Sequence, residues 1–271
     1  MEGEKDAERD RNSNADLNTA LGFANQFRGL LRRAISAEWP AAPFASPEGV
    51  LKVATSFLTS AVHGAFEAII LLCREGWGVE SDVLLRQLQE AVVNARAIER
   101  NRSVLFLYTE EIEKHAVTAS SSPPLPKMPD AMLPTRILGT PPKDDTVAWY
   151  QDGKSKGKRR HWKDLTMETR VRLADLDTSI WYGVYRNLCS VVHAGPGAMI
   201  AYLHEDYWGT VRYGPDRNRA FRSCVSACGL MIVHLGMLDG VFSLGIWRET
   251  ETVANTMWQF LNDRDSGSNA H

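Results

Sequence analysis

Between Thr178 and His193 the chain reads TSIWYGVYRNLCSVVH. Wound as a helix at ~100° per residue, this segment puts Tyr182, Arg186, Ser190 and His193 on one side. Ile180, Trp181, Val184, Leu188, Val191 and Val192 fall on the other and make a core stripe. Arg186 and His193 differ by only ~20° and stack two turns apart, with Asn187 beside them. A guanidinium presents a planar fork of donors that suits a phosphate. Ala194-Gly195-Pro196-Gly197 must end the helix just after His193. A helix C-terminus favours the protonated imidazole, which can then give up a proton near neutral pH. The expected chemistry is anion binding coupled to proton transfer. The plainer alternative is an arginine paired with a carboxylate and a histidine that only finishes a helix.

The run Arg186-Asn187-Leu188-Cys189-Ser190-Val191-Val192-His193 resembles the signature of the HEPN superfamily, the nucleotide-binding domains of higher eukaryotes and prokaryotes. That signature is an Arg, a polar residue for which Asn is favoured, a spacer and a His in an all-α bundle. The spacer here is at the long end of the family's range. A second resemblance runs from about Ser46 to Trp247, interrupted by a proline-rich stretch. LLRQLQEA (Leu84 to Ala91), then a Tyr-containing helix ending in His, then a flap, is similar to a HEPN-like bacterial domain family of unknown function.

The resemblance implies a metal-independent endoribonuclease, a toxin or effector of bacterial defence, with no cofactor and no metal. Its partners would be RNA, a second copy of the chain in a homodimer, and an antitoxin or another defence-system protein. Cleavage of RNA without a metal needs a base, an acid and a cation for the phosphorane charge. His193 would move the protons, and Arg186 would clamp the scissile phosphate. Asn187 and Ser190 would orient phosphate or sugar, and Tyr182 would stack or hydrogen-bond. The alternative is a non-catalytic HEPN-like module that binds a nucleotide or a partner; a third reading is a purely structural helical subunit.

Arg86 and Glu90 are four apart, one helical turn. Leu84, Leu85, Leu88, Ala91, Val92, Ala95 and Ile98 fill one face of that helix, while Val93 and Ala97 share the stripe of Arg86 and Glu90. A second apolar stripe implies that another helix covers the pair, which gives it a supporting role beside Arg186. The alternative is a solvated surface ion pair.

These residues need long helices to hold them, and the 3.6-residue apolar period supplies them: about 17–39, 46–75, 81–115, 166–175, 178–193, 216–246 and 249–262. Ser46-Pro47-Glu48 starts the second with a cap and a proline in the first turn. The fold class expected is all-α, a helical bundle with a proline-rich insertion and a short extended flap or hairpin after the motif helix, at 199–213. The domain layout expected is a disordered lead at 1–16, one helical domain at 17–262 with a loop insertion at 119–163, and a disordered tail at 263–271. Within the insertion, Lys154, Lys156, Lys158, Arg159, Arg160 and Lys163 form a basic run interrupted by glycine. It is expected to be mobile and to grip RNA phosphates, with His161 and Trp162 as stacking surfaces; otherwise it is a solvated charge run.

The net charge of -2 excludes nothing about nucleic acid, because only local clusters can speak to it. Cys73, Cys189, Cys224 and Cys228 lie in apolar or helical stretches without disulfide or zinc spacing and read as core thiols. No leader peptide or membrane anchor is legible, so the chain is expected to be cytoplasmic. The most apolar stretch, 226–247, carries His234 and Asp239 and reads as a core helix, in which Gly229, Gly236 and Gly240 suit close packing. His204-Glu205-Asp206 alternate along the expected flap and make a poor metal site.

Overall fold

The computed structural model describes residues 2–37, 46–118, 133–192 and 214–268, and among them the architecture is an all-α bundle. The helices are α1 (Glu2–Ser36), α2 (Pro47–Arg74), α3 (Gly78–Arg100), α4 (Arg102–Thr118), α5 (Pro134–Leu138), α6 (Met167–Leu173), α7 (Thr178–Val192), α8 (Arg217–Phe242) and α9 (Trp247–Ser268). The expected flap at 199–213 lies outside the described residues, as do His193 and His204-Glu205-Asp206.

The chain divides into two compact units. The first is built from Met1–Ala37, Ala61–Val92 and Gly183–His271, and the second from Glu38–Ser60 and Val93–Tyr182.

In the first unit, α1 lies along α8. Leu17, Ala20, Ala24, Phe27, Leu31 and Ala34 recur at alternating intervals of three and four and are all buried. Ala220, Cys224, Ala227, Met231, Leu235 and Leu238 recur at intervals of three or four on α8 and are buried too. Two seams of this period pack along their whole length. From α9, Phe260 meets Phe23 and Phe221 with ring centroids 6.0 Å and 6.4 Å apart.

Both ends of the chain are helical where disorder is expected. α1 begins at Glu2 instead of Leu17, and α9 runs to Ser268 instead of Asn262. Contacts remote in sequence hold Ser13, Asp16 and Arg264 in place. Asp16 accepts from Arg264 Nε at 2.6 Å, Arg264 stacks over Phe221 at 4.3 Å, and the Ser13 hydroxyl donates to Asn218 at 2.9 Å.

The start of α3 is locked to α8. Asp82 accepts from Arg219 at 2.8 Å and from the Ser223 hydroxyl at 2.5 Å. Gly78 makes the approach possible: a Cβ there would meet Ala220 N at 2.5 Å and the Arg219 carbonyl carbon at 2.7 Å. Backbone atoms cannot rotate away, so Gly78→Ala is expected to cost about 1–3 kcal/mol. A urea melt with an unmoved midpoint would show that the contact is slack. Gly236 is similar, with its position closed by Trp247 at 2.8 Å, whereas Gly229 and Gly240 have no neighbour within 4 Å among the described residues. Among the described residues, Gly236 is thus the one of the three at which an added Cβ would meet a neighbour within 4 Å.

Cys73, Cys224 and Cys228 are buried and free, as core thiols should be. Hydrogen bonds among them, with burial, push the Cys73 and Cys224 thiols up, so both stay protonated. Two helices, α2 and α8, are long and apolar enough to cross a membrane by length and composition alone. His234 of α8 is fully buried, and the Asp239 carboxylate accepts from Ile246 N at 2.9 Å.

The second unit holds the C-terminal third of α3, with α4, α5 and α6. The expected single helix at 81–115 is two, broken at Asn101. The Asn101 side chain accepts from Ser103 N at 2.9 Å and Val104 N at 3.2 Å, which caps α4 and ends α3. Ser46 caps α2 as expected, accepting from Gly49 N at 3.1 Å.

The insertion is not the free loop expected over 119–163. Residues 119–132 lie outside the described residues, but 133–165 is packed. Leu138, Ala148 and Leu165 are buried, and Trp149 pairs with Arg159 in an isolated antiparallel bridge. Glu113 accepts from Thr135 N and its hydroxyl at 2.9 Å and 2.8 Å. Burial works against the Asp145 charge, but donors from Ser103, Ala148 and Val147 hold its carboxyl below the usual range. Irregular backbone is stable here because its polar groups are satisfied by α4 and by the segment itself.

Candidate functional site

The site is built where α3 meets α7 in the first unit. Asp177 caps α7, accepting from Ser179 N at 2.8 Å. The helix is rotated about its axis from the expected orientation. Ile180 and Val184, placed on the core stripe by the sequence, are 61% and 42% exposed, while Leu188 is buried. Trp181, Tyr185, Leu188 and Val192 form the inward stripe instead, with Tyr185 half-buried. That is a turn of ~60° on the helical wheel.

Tyr185 explains the rotation. Its hydroxyl donates to Glu90 Oε1 at 3.0 Å and accepts from Arg86 Nη2 at 3.3 Å. Arg86 Nε donates to the same Glu90 oxygen at 3.1 Å, and the guanidinium lies 5.4 Å from the Tyr185 ring centre. An inward tyrosine buries its ring and still satisfies its hydroxyl, which an isoleucine in its place could not offer to this pair. The Arg86 and Glu90 side chains are 20% and 35% exposed, so this is a partly covered pair and not a solvated one. The second stripe of α3 is covered too, with Val93 and Ala97 fully buried.

The electrostatics follow from this packing. Burial, a bond to the Cys189 thiol and the neighbouring Glu90 push the Tyr185 phenol up to about 12, against the opposing pull of Arg86. At neutral pH it is therefore a hydrogen-bond donor. Burial works against the Arg86 charge, but Tyr185, Cys189 and Glu90 hold its pKa above the ordinary arginine value.

The adjacent residue, Arg186, is exposed, and so is Asn187. Neither side chain has a hydrogen-bond or ion-pair partner among the described residues. Tyr182 and Ser190 are half-buried and engaged within the fold. His193, one residue beyond α7, lies outside the described residues. The structure thus brings Arg86 and Glu90 to the root of Arg186 through Tyr185, a residue absent from the expected core stripe. The sequence carries a signal for it: positions 181, 185, 188 and 192 make a stripe as regular as the expected one, with a polar-tipped aromatic in it.

Chemically, the arrangement fixes the backbone at Arg186 and leaves its guanidinium and the Asn187 amide open to an anion. Among the described residues no three His, Cys, Asp or Glu side chains gather where a metal ion would sit.

Among the described residues the site is thus an open arginine beside a clamped helix–helix contact in an all-α bundle. The chain belongs to the family of unknown function DUF5677, which matches residues 52–209, more than half of its length. The matched stretch contains Arg86, Glu90, Tyr185 and Arg186. No curated protein and no solved structure matches the chain.

Proposed function

We propose that the chain is a metal-independent endoribonuclease of HEPN type, a cytoplasmic toxin or effector of bacterial defence that acts as a homodimer and answers to an antitoxin or another defence-system protein. The observation that carries the reading is Arg186 with Asn187, open to an anion on a helix whose rotation is held by Tyr185, Arg86 and Glu90. His193 takes the proton from the ribose 2′-hydroxyl, whose oxygen forms a bond to phosphorus. The bond to the 5′-oxygen breaks, and that oxygen leaves with a proton returned by His193. Arg186 neutralises the phosphorane charge, and Asn187 and Ser190 orient phosphate or sugar. The products carry a 2′,3′-cyclic phosphate and a 5′-hydroxyl.

The test is purified protein with end-labelled RNA, with and without EDTA. Cleavage is expected in both, because the arginine supplies the positive charge. Loss in EDTA that a divalent ion restores would move the chemistry to carboxylates such as Glu90, Glu205 or Asp206.

The second reading is a non-catalytic HEPN-like module that binds a nucleotide or a partner, and the exposed Ile180 and Val184 of α7 offer a surface for the latter. Binding of RNA without cleavage under any ion condition would support it over the first.

A further inference from the structure

The basic run in the second unit was expected to act as one mobile cluster, and the structure divides it. Tyr150 to Lys163 carries six cations against the single acid Asp152. Two of the six are consumed in building the segment. Arg159 pairs with Glu110 of α4 and stands over the Phe106 ring at 5.7 Å. Arg160 lies over the Tyr150 ring at 4.7 Å, and its backbone N–H donates to Ala148 O at 2.7 Å. Tyr150 N donates to Lys158 O at 3.0 Å and Gly157 N to Tyr150 O at 2.8 Å, which closes the tip as a tight hairpin. Gly153 and Gly157 turn it at φ +64° and +74°, where a side chain would be strained.

Lys154, Lys156 and Lys158 remain exposed on this pinned tip, and Lys163 is exposed on the short turn Trp162–Asp164 that follows it. The expected stacking surface is not available. Trp162 is covered by the Arg170 guanidinium at 4.3 Å and meets the Tyr108 ring edge-on at 5.0 Å. His161 is engaged with Lys114, its Nδ1 lying 3.2 Å from Nζ. What the tip offers is fixed positive charge without a base-reading surface.

We infer that the hairpin tip, with Lys163 just beyond it, is a sugar-phosphate grip for a nucleic-acid strand, in which Lys154, Lys156, Lys158 and Lys163 bind phosphodiesters while Arg159 and Arg160 hold the tip in shape. Fixed lysines lose less freedom on binding than lysines on a free loop. Contacts made to phosphates alone carry no sequence information. RNA as the natural strand rests on the ribonuclease reading; the grip itself does not.

The experiment uses the full chain and 20-nucleotide strands that a 2′-hydroxyl mechanism cannot cut: 2′-O-methyl oligouridine, 2′-O-methyl oligoadenosine and oligothymidine. Affinity is measured across salt for wild type and for the variant Lys154→Gln, Lys156→Gln, Lys158→Gln, Lys163→Gln, with cleavage of ordinary RNA followed in parallel. All four lysines are exposed, so the variant should melt as wild type does. Each phosphate contact contributes about 0.7 to the slope of log affinity against log salt for single strands. The variant's slope is therefore expected to be shallower by roughly 3 units, with affinity at low salt falling at least tenfold. The three strands should bind wild type within a factor of about three of one another. Equal slopes for a folded variant, no binding by wild type, or a tenfold preference among the strands would each overturn the grip. Cleavage by wild type with unchanged slopes would remove the grip and leave the ribonuclease. Lysine-dependent binding without cleavage would leave the grip and remove the ribonuclease.

Discussion

Arg186→Ala is expected to lower RNA cleavage at least a hundredfold while the protein melts where wild type does. Loss of one charged donor to a developing oxyanion costs on the order of a hundred- to a thousandfold in rate. Arg186 is exposed and has no partner among the described residues, so truncation leaves no unpaired group behind. Arg186→Lys keeps the charge but loses the planar fork, and it should recover only part of the activity. His193→Ala should abolish cleavage, because His193 is the group proposed to move the 2′-proton. Full activity in a folded Arg186→Ala or His193→Ala variant would place the chemistry elsewhere in the chain.

A loss of stability in mild acid should trace to one residue. His234 is fully buried in α8, and burial pushes its imidazole down to about 3. The fold therefore holds the neutral ring, whereas the unfolded chain binds a proton near pH 6.5. Its contribution is complete above that pH and is lost as pH falls toward 3. At pH 4 the loss should be about 3 kcal/mol relative to pH 7.5, since each unit of difference is worth ~1.4 kcal/mol. Urea melts of wild type and His234→Gln at the two pH values isolate it, because carboxylates such as Asp145 contribute equally to both proteins. The variant should lose about 3 kcal/mol less than wild type between the two pH values. Equal losses would show that His234 is protonated in the folded protein.

Much of this architecture was legible because it is periodic. The buried seam of α1 and the cap at Ser46-Pro47 are local patterns, and they appear where the sequence places them. The features that were not legible depend on partners far along the chain. Helix at both ends needs Asp16 and Arg264 to meet, and the packed insertion needs Glu110 to reach Arg159. The rotation of α7 was hidden for another reason. Two stripes on that helix are comparably apolar, and the choice falls to Tyr185, whose hydroxyl needs Arg86 and Glu90. The pair on α3 was found from its second apolar stripe, but not the tyrosine that makes it matter to Arg186.

The pairing of α1 with α8 also sets the order in which the protein can be completed during synthesis. α1 ends at Ser36 and α8 starts at Arg217, so about 180 residues must be added before the buried face of the first helix finds its partner. At ~5–20 residues per second on the ribosome, that is roughly 10–40 seconds. For that interval the α1 seam lacks its α8 partner. The first unit is also assembled from three separate stretches of chain, so no single cut releases it as a continuous fragment. A ribosome stalled before Arg217 would hold a chain with its longest apolar seam uncovered, the form most prone to aggregation and proteolysis.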